Sequence, residues 1–148
     1  MYDDILVPTD GSPAADAAVD HALTLAQEFD STVHVLYVVD ATAYSVLEGG
    51  TSIVSDALER EGEAAVERIA EAAEEANVAT VEAVVTGTAY REIVEYADDN
   101  DVDLIVMATH ARRGLDRYLL GSVTERVVRS AGQPVLTVRY SEALADDE

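Results

Sequence analysis

Five short apolar runs, each followed or preceded by a stretch with helical periodicity, constrain this chain more than any other feature. The runs are Tyr2 to Thr9 (YDDILVPT), Thr32 to Val38 (TVHVLYV), Thr80 to Val85, Leu104 to Met107 (LIVM) and Val135 to Val138. They show little polar alternation, as expected of strands covered on both faces. Between them, Pro13 to about Phe29 repeats Ala15, Val19, Ala22, Leu23 and Ala26 at helical spacing. A second helix is predicted from about Ile53 to Asn77, with Leu58, Ala65, Val66, Ile69, Ala73 and Ala76 inward. Its outer face then carries Glu59, Glu63, Glu67, Glu71 and Glu74. Ala89 to Asp99 (Ile93, Val94 and Ala97 inward) and Ser122 to Ser130 complete the set. The order β-α-β-α-β-α-β-α-β predicts an α/β fold: an open parallel five-stranded sheet with helices on both faces. Such sheets bind ligands at the carboxyl ends of their strands, where the winding reverses. The turn Thr9–Gly11 and a loop expected over Thr109–Gly114 lie at two such ends. They face one cleft if the first and fourth strands are neighbours.

With 148 residues, 49% of them hydrophobic and 5% aromatic, the core is one of Val, Leu, Ile and Ala. Cysteine is absent, which removes disulfides, thiolate metal sites and Cys nucleophiles. The acidic start MYDDILVPTD does not read as a signal peptide, and no apolar run approaches the ~20 residues that span a bilayer. A soluble cytoplasmic protein is the expectation, with an acidic tail over 141–148. Net charge is −21 and lysine is absent. That field repels phosphate polymers, so nucleic acid and anionic membranes are not expected as partners. The regular apolar periodicity argues against disorder. An acidic protein from a halophilic, high-salt cytoplasm fits better, because molar salt shortens the Debye length to ~3 Å.

The stretch LIVMATHARRGLDRYLLGSVT, residues 104–124, carries the chemistry. Ser122 followed by Glu125 has capping-box spacing, and the N–H groups and dipole of a helix start favour an anion. Of nine arginines, five (Arg112, Arg113, Arg117, Arg126 and Arg129) fall between 112 and 129 against Asp116 and Glu125, leaving that segment at +3. Guanidinium forks suit phosphate. The competing reading is a solvated face paired with acids. Without lysine there is no Walker A loop, and no GxGxxG follows the first strand. His21, His34 and His110 are too scattered for a metal site. His21 and His34 read as structural, while His110 sits in the arginine loop. Ser12 and Ser122 read as helix caps rather than nucleophiles, and no catalytic residue is assigned. Asp10 suits either a ligand hydroxyl or an Asx turn.

ILVPTDGS at the start, VTG followed by EIV, and DLIVMATHARRGLDRYLLGSVTERVVRSAGQPVLTVR together resemble the universal stress proteins over nearly the whole chain. The resemblance implies a Rossmann-like domain over 1–140 with strand order 3-2-1-4-5. It also implies a homodimer formed through Val135–Val138, and stress-response members that bind ATP without efficient hydrolysis. The ATP-binding pattern Gly-x2-Gly-x9-Gly-[Ser/Thr] falls on Ala108, Ala111, Gly121 and Ser122, so its first two glycines are alanines here. Carried over by position, Pro8, Thr9 and Asp10 lie by adenine and ribose, Val38 offers backbone groups to the adenine, and Gly87 and Met107 are further nucleotide-binding positions. Ala108, Thr109, His110, Ala111, Arg112, Arg113 and Gly114, with Gly121, Ser122, Val123 and Thr124, hold the phosphates. Mg2+ or Mn2+ travels with the nucleotide, with no direct protein cage. If the two alanine positions need positive φ, each Cβ costs about 1–2 kcal/mol. If φ is negative there, alanine is tolerated. The resemblance thus implies a cytoplasmic, nucleotide-dependent dimeric regulator of an unknown protein partner. A dimeric interaction module without nucleotide is the alternative, and a weak ATPase comes last.

Overall fold

The computed structural model describes the backbone of residues 1–40, 51–111 and 121–141, and their side chains except those of 51–55, 110, 111 and 141. The elements run β1 (Asp4–Thr9), α1 (Pro13–Phe29), β2 (Thr32–Val39), α2 (Thr51–Glu75), β3 (Ala79–Thr86), α3 (Ala89–Asp99), β4 (Leu104–Ala111), α4 (Ser122–Ser130) and β5 (Val135–Ser141). All pairings are parallel and the strand order is β3-β2-β1-β4-β5. The expected architecture and order are therefore those of the molecule.

The winding reverses at β1, which lies between β2 and β4. Ile5, Leu6 and Val7 of this central strand are wholly buried. On one face, Ala18, Val19 and Ala22 of α1 join Val66, Ile69 and Ala73 of α2 over Val33, Val35 and Val106. On the other, Ile93 and Ala97 of α3 and Val127 of α4 close over Leu6, Leu36, Ile105 and Met107. Each Val, Leu, Ile or Met among these contributes roughly 1.5–3 kcal/mol through burial, and each Ala less.

Helix ends follow local rules. Ser12 caps α1 by accepting the Ala15 N–H at 3.3 Å, and Pro13 holds the first helical position. At the opposite ends, the turns after α1, α2 and α3 each contain one non-glycine residue at positive φ: Asp30, Asn77 and Asp101. A six-residue bond closes each helix, from Ser31 to Ala26, Val78 to Ala73 and Val102 to Ala97. These are Schellman-type closures, with Asp or Asn standing where glycine is commonest.

Several boundaries differ from the sequence reading. The first strand starts at Asp4 rather than Tyr2, and α2 spans Thr51–Glu75 rather than Ile53–Asn77. β5 runs on to Ser141, past Val138. The largest difference is in β4, expected to end at Met107. It continues through Ala108, Thr109, His110 and Ala111, because each pairs in register with β5, from Val138 to Ser141. A partner strand supplies hydrogen bonds that the polar sequence THA does not advertise.

Candidate functional site

The site begins at Pro8. β1 pairs with β2 all the way to Thr9↔Tyr37, but with β4 only at Ile5↔Leu104 and Leu6↔Ile105. Beyond Leu6 the two central strands part, and Pro8 has no N–H with which to extend the ladder. This opening at the winding reversal leads into a cavity of about 310 Å³. Leu36, Val38, Ile93 and Met107 provide apolar wall, while Pro8, Thr9, Asp10 and Ser12 form one rim. Ala108 and the start of α4, Gly121 to Thr124, form the other, and Ala14, Ala15 and Ala89 complete the lining.

Local hydrogen bonds hold both rims. The Gly11 N–H donates to Thr9 Oγ1 at 3.0 Å, and the Ser12 N–H donates to Asp10 Oδ1 at 2.9 Å. Asp10 thus makes the Asx turn that was one of its two readings, and its second carboxylate oxygen is not used by that turn. Gly11 has φ +81°, a conformation that glycine adopts without Cβ strain. On the opposite rim, the Thr124 hydroxyl donates to the Ala108 carbonyl at 3.1 Å, tying the first turn of α4 to β4.

The start of α4 departs from the capping-box expectation. Gly121 is the N-cap, with φ −61° and ψ 153°, no side chain caps the helix, and Ser122 is already helical. The first helical backbone bond runs from the Glu125 N–H to the Gly121 carbonyl. The helix ladder therefore offers no acceptor to the N–H groups of Ser122, Val123 and Thr124. All three residues line the cavity. Donors with no partner in the helix and a positive dipole end meet there, which is the arrangement that holds phosphate oxygens or a carboxylate.

Ala108 and Ala111 lie in β4, paired with Val138 and Ser141. Among the described residues, positive φ at non-glycine positions occurs only at Asp30, Asn77 and Asp101. The strain that alanine would suffer in a left-handed conformation does not arise at Ala108. Parallel-strand backbone suits alanine at both positions.

Of the residues singled out from sequence, Pro8, Thr9, Asp10, Val38, Met107, Ala108, Gly121, Ser122, Val123 and Thr124 come together around this one cavity. Thr109 is buried and Gly87 gives its N–H to the Val39 carbonyl; neither is in the lining. The backbones of His110 and Ala111 belong to β4. Arg112, Arg113, Gly114, Asp116 and Arg117 lie outside the described residues, as do the 41–50 connection and the 142–148 tail. Ser12, Ala14, Ala15, Leu36, Ala89 and Ile93 line the cavity without having been anticipated there. Ile93 and Ala15 carried only a helix-stripe signal, which marks the core face and not where the core gives way to a cleft.

The other two histidines are structural. His21 sits exposed on α1 with Nδ1 3.2 Å from the Ala17 carbonyl. His34 is buried, with Nε2 2.9 Å from Asp4 Oδ1 and Nδ1 2.7 Å from the Tyr96 hydroxyl. No cluster of three metal-ligating side chains occurs among the described residues. No helix there is long and apolar enough to cross a membrane.

Comparison with known proteins agrees with this fold. The model of the universal stress protein family matches residues 1–139. Universal stress protein MJ0531 of Methanocaldococcus jannaschii is 42% identical over 141 residues, covering 94% of this chain and 83% of that protein. The solved structure of MJ0577 from the same organism superposes with a TM-score of 0.84 at 33% identity, covering 95% of this chain and 97% of that one. A universal stress protein in complex with cAMP superposes with a TM-score of 0.67 at 25% identity, over 93% of this chain and 97% of that one. On the family match, the identity and the shared strand order, this chain belongs to the universal stress protein family.

Proposed function

We propose that the protein binds an adenine nucleotide, ATP for preference, in the cavity between β1, β4 and the start of α4. It acts as a nucleotide-dependent dimeric regulator in the cytoplasmic stress response. The observation that carries this reading is the uncapped N-terminus of α4 opening into an apolar-walled cavity at the winding reversal. A base fits the wall of Leu36, Val38, Ile93 and Met107, the ribose the rim at Thr9 and Asp10, and the phosphates the N–H groups of Ser122 to Thr124. The relative solved with cAMP supports an adenine ligand for this fold. Among the described residues Asp10 is the one carboxylate in the lining, too few for an all-protein cage. Mg2+ would therefore arrive on the phosphates and keep most of its water.

The dimer would form along β5, which pairs with β4 on one side and presents Leu136, 38% exposed. A sedimentation mass equal to the single chain of 15.8 kDa would remove dimerisation from the reading. The dimeric interaction module without nucleotide drew its support from the two alanines, and the extended backbone of β4 weakens that support.

The test is titration with ATP–Mg2+ in 1 M KCl, for the native chain and for Ser122→Glu. Saturable binding at micromolar ATP is expected. Glutamate at the first helical position suits the helix dipole, so the fold should hold. Its charge would meet the phosphates and weaken binding by about tenfold or more. Equal affinity in the variant would move the site elsewhere. No binding by the native chain up to millimolar ATP would leave the interaction module as the function.

A further inference from the structure

Tyr90 and Arg91 in the first turn of α3 meet Arg126 of α4 at the seam between the two helices. The Arg91 Nε donates to the Tyr90 hydroxyl oxygen at 3.2 Å, and its guanidinium carbon lies 5.8 Å from the ring centroid. The guanidinium of Arg126 sits over the same ring, 5.0 Å from its centroid. Two cations therefore share one phenol in a chain of net charge −21.

The acidic residues nearby do not neutralise the pair. Glu125, next to Arg126, turns to Arg129 at 2.9 Å, and Glu92 lies against Gly87. Glu95 acts on Arg91 only as a nearby charge. Among the described residues, neither Arg91 nor Arg126 has a carboxylate within ion-pair distance. The Tyr90 hydroxyl feels the result: its pKa lies below the ordinary tyrosine value, chiefly because of the Arg91 hydrogen bond and charge, with Arg126 adding to it. A place that favours a phenolate oxygen also favours a phosphate oxygen.

None of Tyr90, Arg91 and Arg126 lines the cavity itself, but Tyr90 packs against the core cluster that contains its wall residues Leu36, Ile93 and Met107. Tyr90 follows Ala89 and precedes Ile93 by three residues, and both line the cavity wall. Arg126 is one helical turn beyond Ser122 and Val123 on the other rim. Yet its guanidinium reaches back to the first turn of α3, at the same end of the sheet as the α4 start. Stacking on Tyr90 holds the fork in place, so less side-chain freedom is lost when it takes a ligand.

We propose that Arg126 and Arg91, braced on Tyr90, form a second phosphate subsite that makes the cleft count phosphates, binding nucleoside triphosphate in preference to monophosphate. This deepens the nucleotide reading and rests on it. The α4 N–H groups hold the phosphate nearest the ribose, which AMP and ATP share. The guanidiniums take the oxygens further along the chain, which only ADP and ATP possess.

The experiment measures dissociation constants for AMP, ADP and ATP, each with Mg2+ in 1 M KCl, for the native chain, Arg126→Gln, Arg91→Gln, Arg126→Lys and Tyr90→Phe. At that salt a field acting at a distance is screened within ~3 Å, so only contact effects remain. The native chain should bind ATP more tightly than AMP. Arg126→Gln and Arg91→Gln should each cut that preference by about tenfold while AMP affinity stays within about twofold. Arg126→Lys should restore part of it, and Tyr90→Phe should retain the stacking and lose less than either glutamine variant. An unchanged ATP-to-AMP ratio in both glutamine variants would overturn the subsite. Equal weakening of AMP and ATP would overturn it too, because a clip between α3 and α4 would do that by shifting the whole rim. Should Arg126→Gln fail to fold, Arg91→Gln decides alone. A native chain that binds ATP and AMP equally overturns the subsite and leaves the nucleotide reading standing, whereas no binding of either overturns both.

Discussion

At the scale of single residues, three small positions show how space and conformation divide the work. Gly121 has an ordinary negative φ and nothing described within 4 Å of where a Cβ would stand, so its backbone does not require glycine. The open space there belongs to the cavity. Ala108 sits in a paired strand, whose extended backbone places no demand for glycine there. Gly62 is the opposite case. A Cβ built on it would lie 2.6 Å from Cδ1 of the Tyr37 ring, which is only 8% exposed and cannot easily retreat. Gly62→Ala would gain roughly 1 kcal/mol of helix propensity. Overpacking against the ring costs about 1–3 kcal/mol, and at this separation the upper part of that range applies. The expected net loss is about 1–2 kcal/mol, read as a lower urea midpoint with an unchanged slope. A midpoint equal to or above that of the native chain would show that Tyr37 can yield. In the sequence Gly62 is one glycine in a helical run. Its constraint comes from a ring on β2, which no local pattern reveals.

Among the elements, a polar bridge adds to the apolar packing of α3 on the sheet. Asp4 of β1, His34 of β2 and Tyr96 of α3 form one hydrogen-bonded chain, and the His34 and Tyr96 rings meet edge to face. Asp103, just before β4, accepts the N–H groups of Asp3 and Asp4 at 2.9 and 3.0 Å and holds the adjoining strand ends together. The Tyr96 pKa is raised above the ordinary tyrosine value, first by burial and then by the Asp4 charge. A group whose pKa is higher in the folded than in the unfolded state stabilises the fold fully below its unfolded value. That contribution is lost as pH rises through the folded value. The tie should therefore hold unchanged at neutral pH and weaken above about pH 10. Urea midpoints at pH 8 and pH 10.5–11 should fall more steeply with pH in the native chain than in Tyr96→Phe. Parallel slopes would mean that Tyr96 does not couple to folding. The strand His34 was legible as structural, but its partners 30 and 62 residues away were not. The length of β4 was hidden for the same reason, since Thr109 to Ala111 become strand by pairing with β5.

For the whole molecule, charge is the dominant variable. A net −21 on a 148-residue chain makes self-repulsion a standing cost in dilute buffer. Raising KCl from 0.1 to 2 M shortens the Debye length from ~10 Å to a few ångströms. Stability should then rise by about 2–3 kcal/mol, or roughly 5–10 °C in Tm for a domain of this size. A flat or falling Tm across that range would mean that the acidic surface is not set for a high-salt environment.

The sequence by itself determined the alternation of elements and the parallel class. It also indicated which strand ends could carry a ligand, because periodicity, capping chemistry and apolar runs are local properties of the chain. Through resemblance it even indicated ten of the residues that line the cavity. Three things were decided only by tertiary structure: where β1 and β4 part, how the uncapped start of α4 is docked, and which arginines share a tyrosine. The parting depends on β1 pairing with β2 as far as Thr9 but with β4 only as far as Leu6, a difference in ladder length that strand order alone does not give. The docking of that start involves the Thr124 hydroxyl and the Ala108 carbonyl of β4. The tyrosine contact depends on α3 and α4 lying side by side, although Arg91 and Arg126 are 35 positions apart in the chain. Each is a relation between segments distant in sequence, set by packing rather than by any residue's own preference.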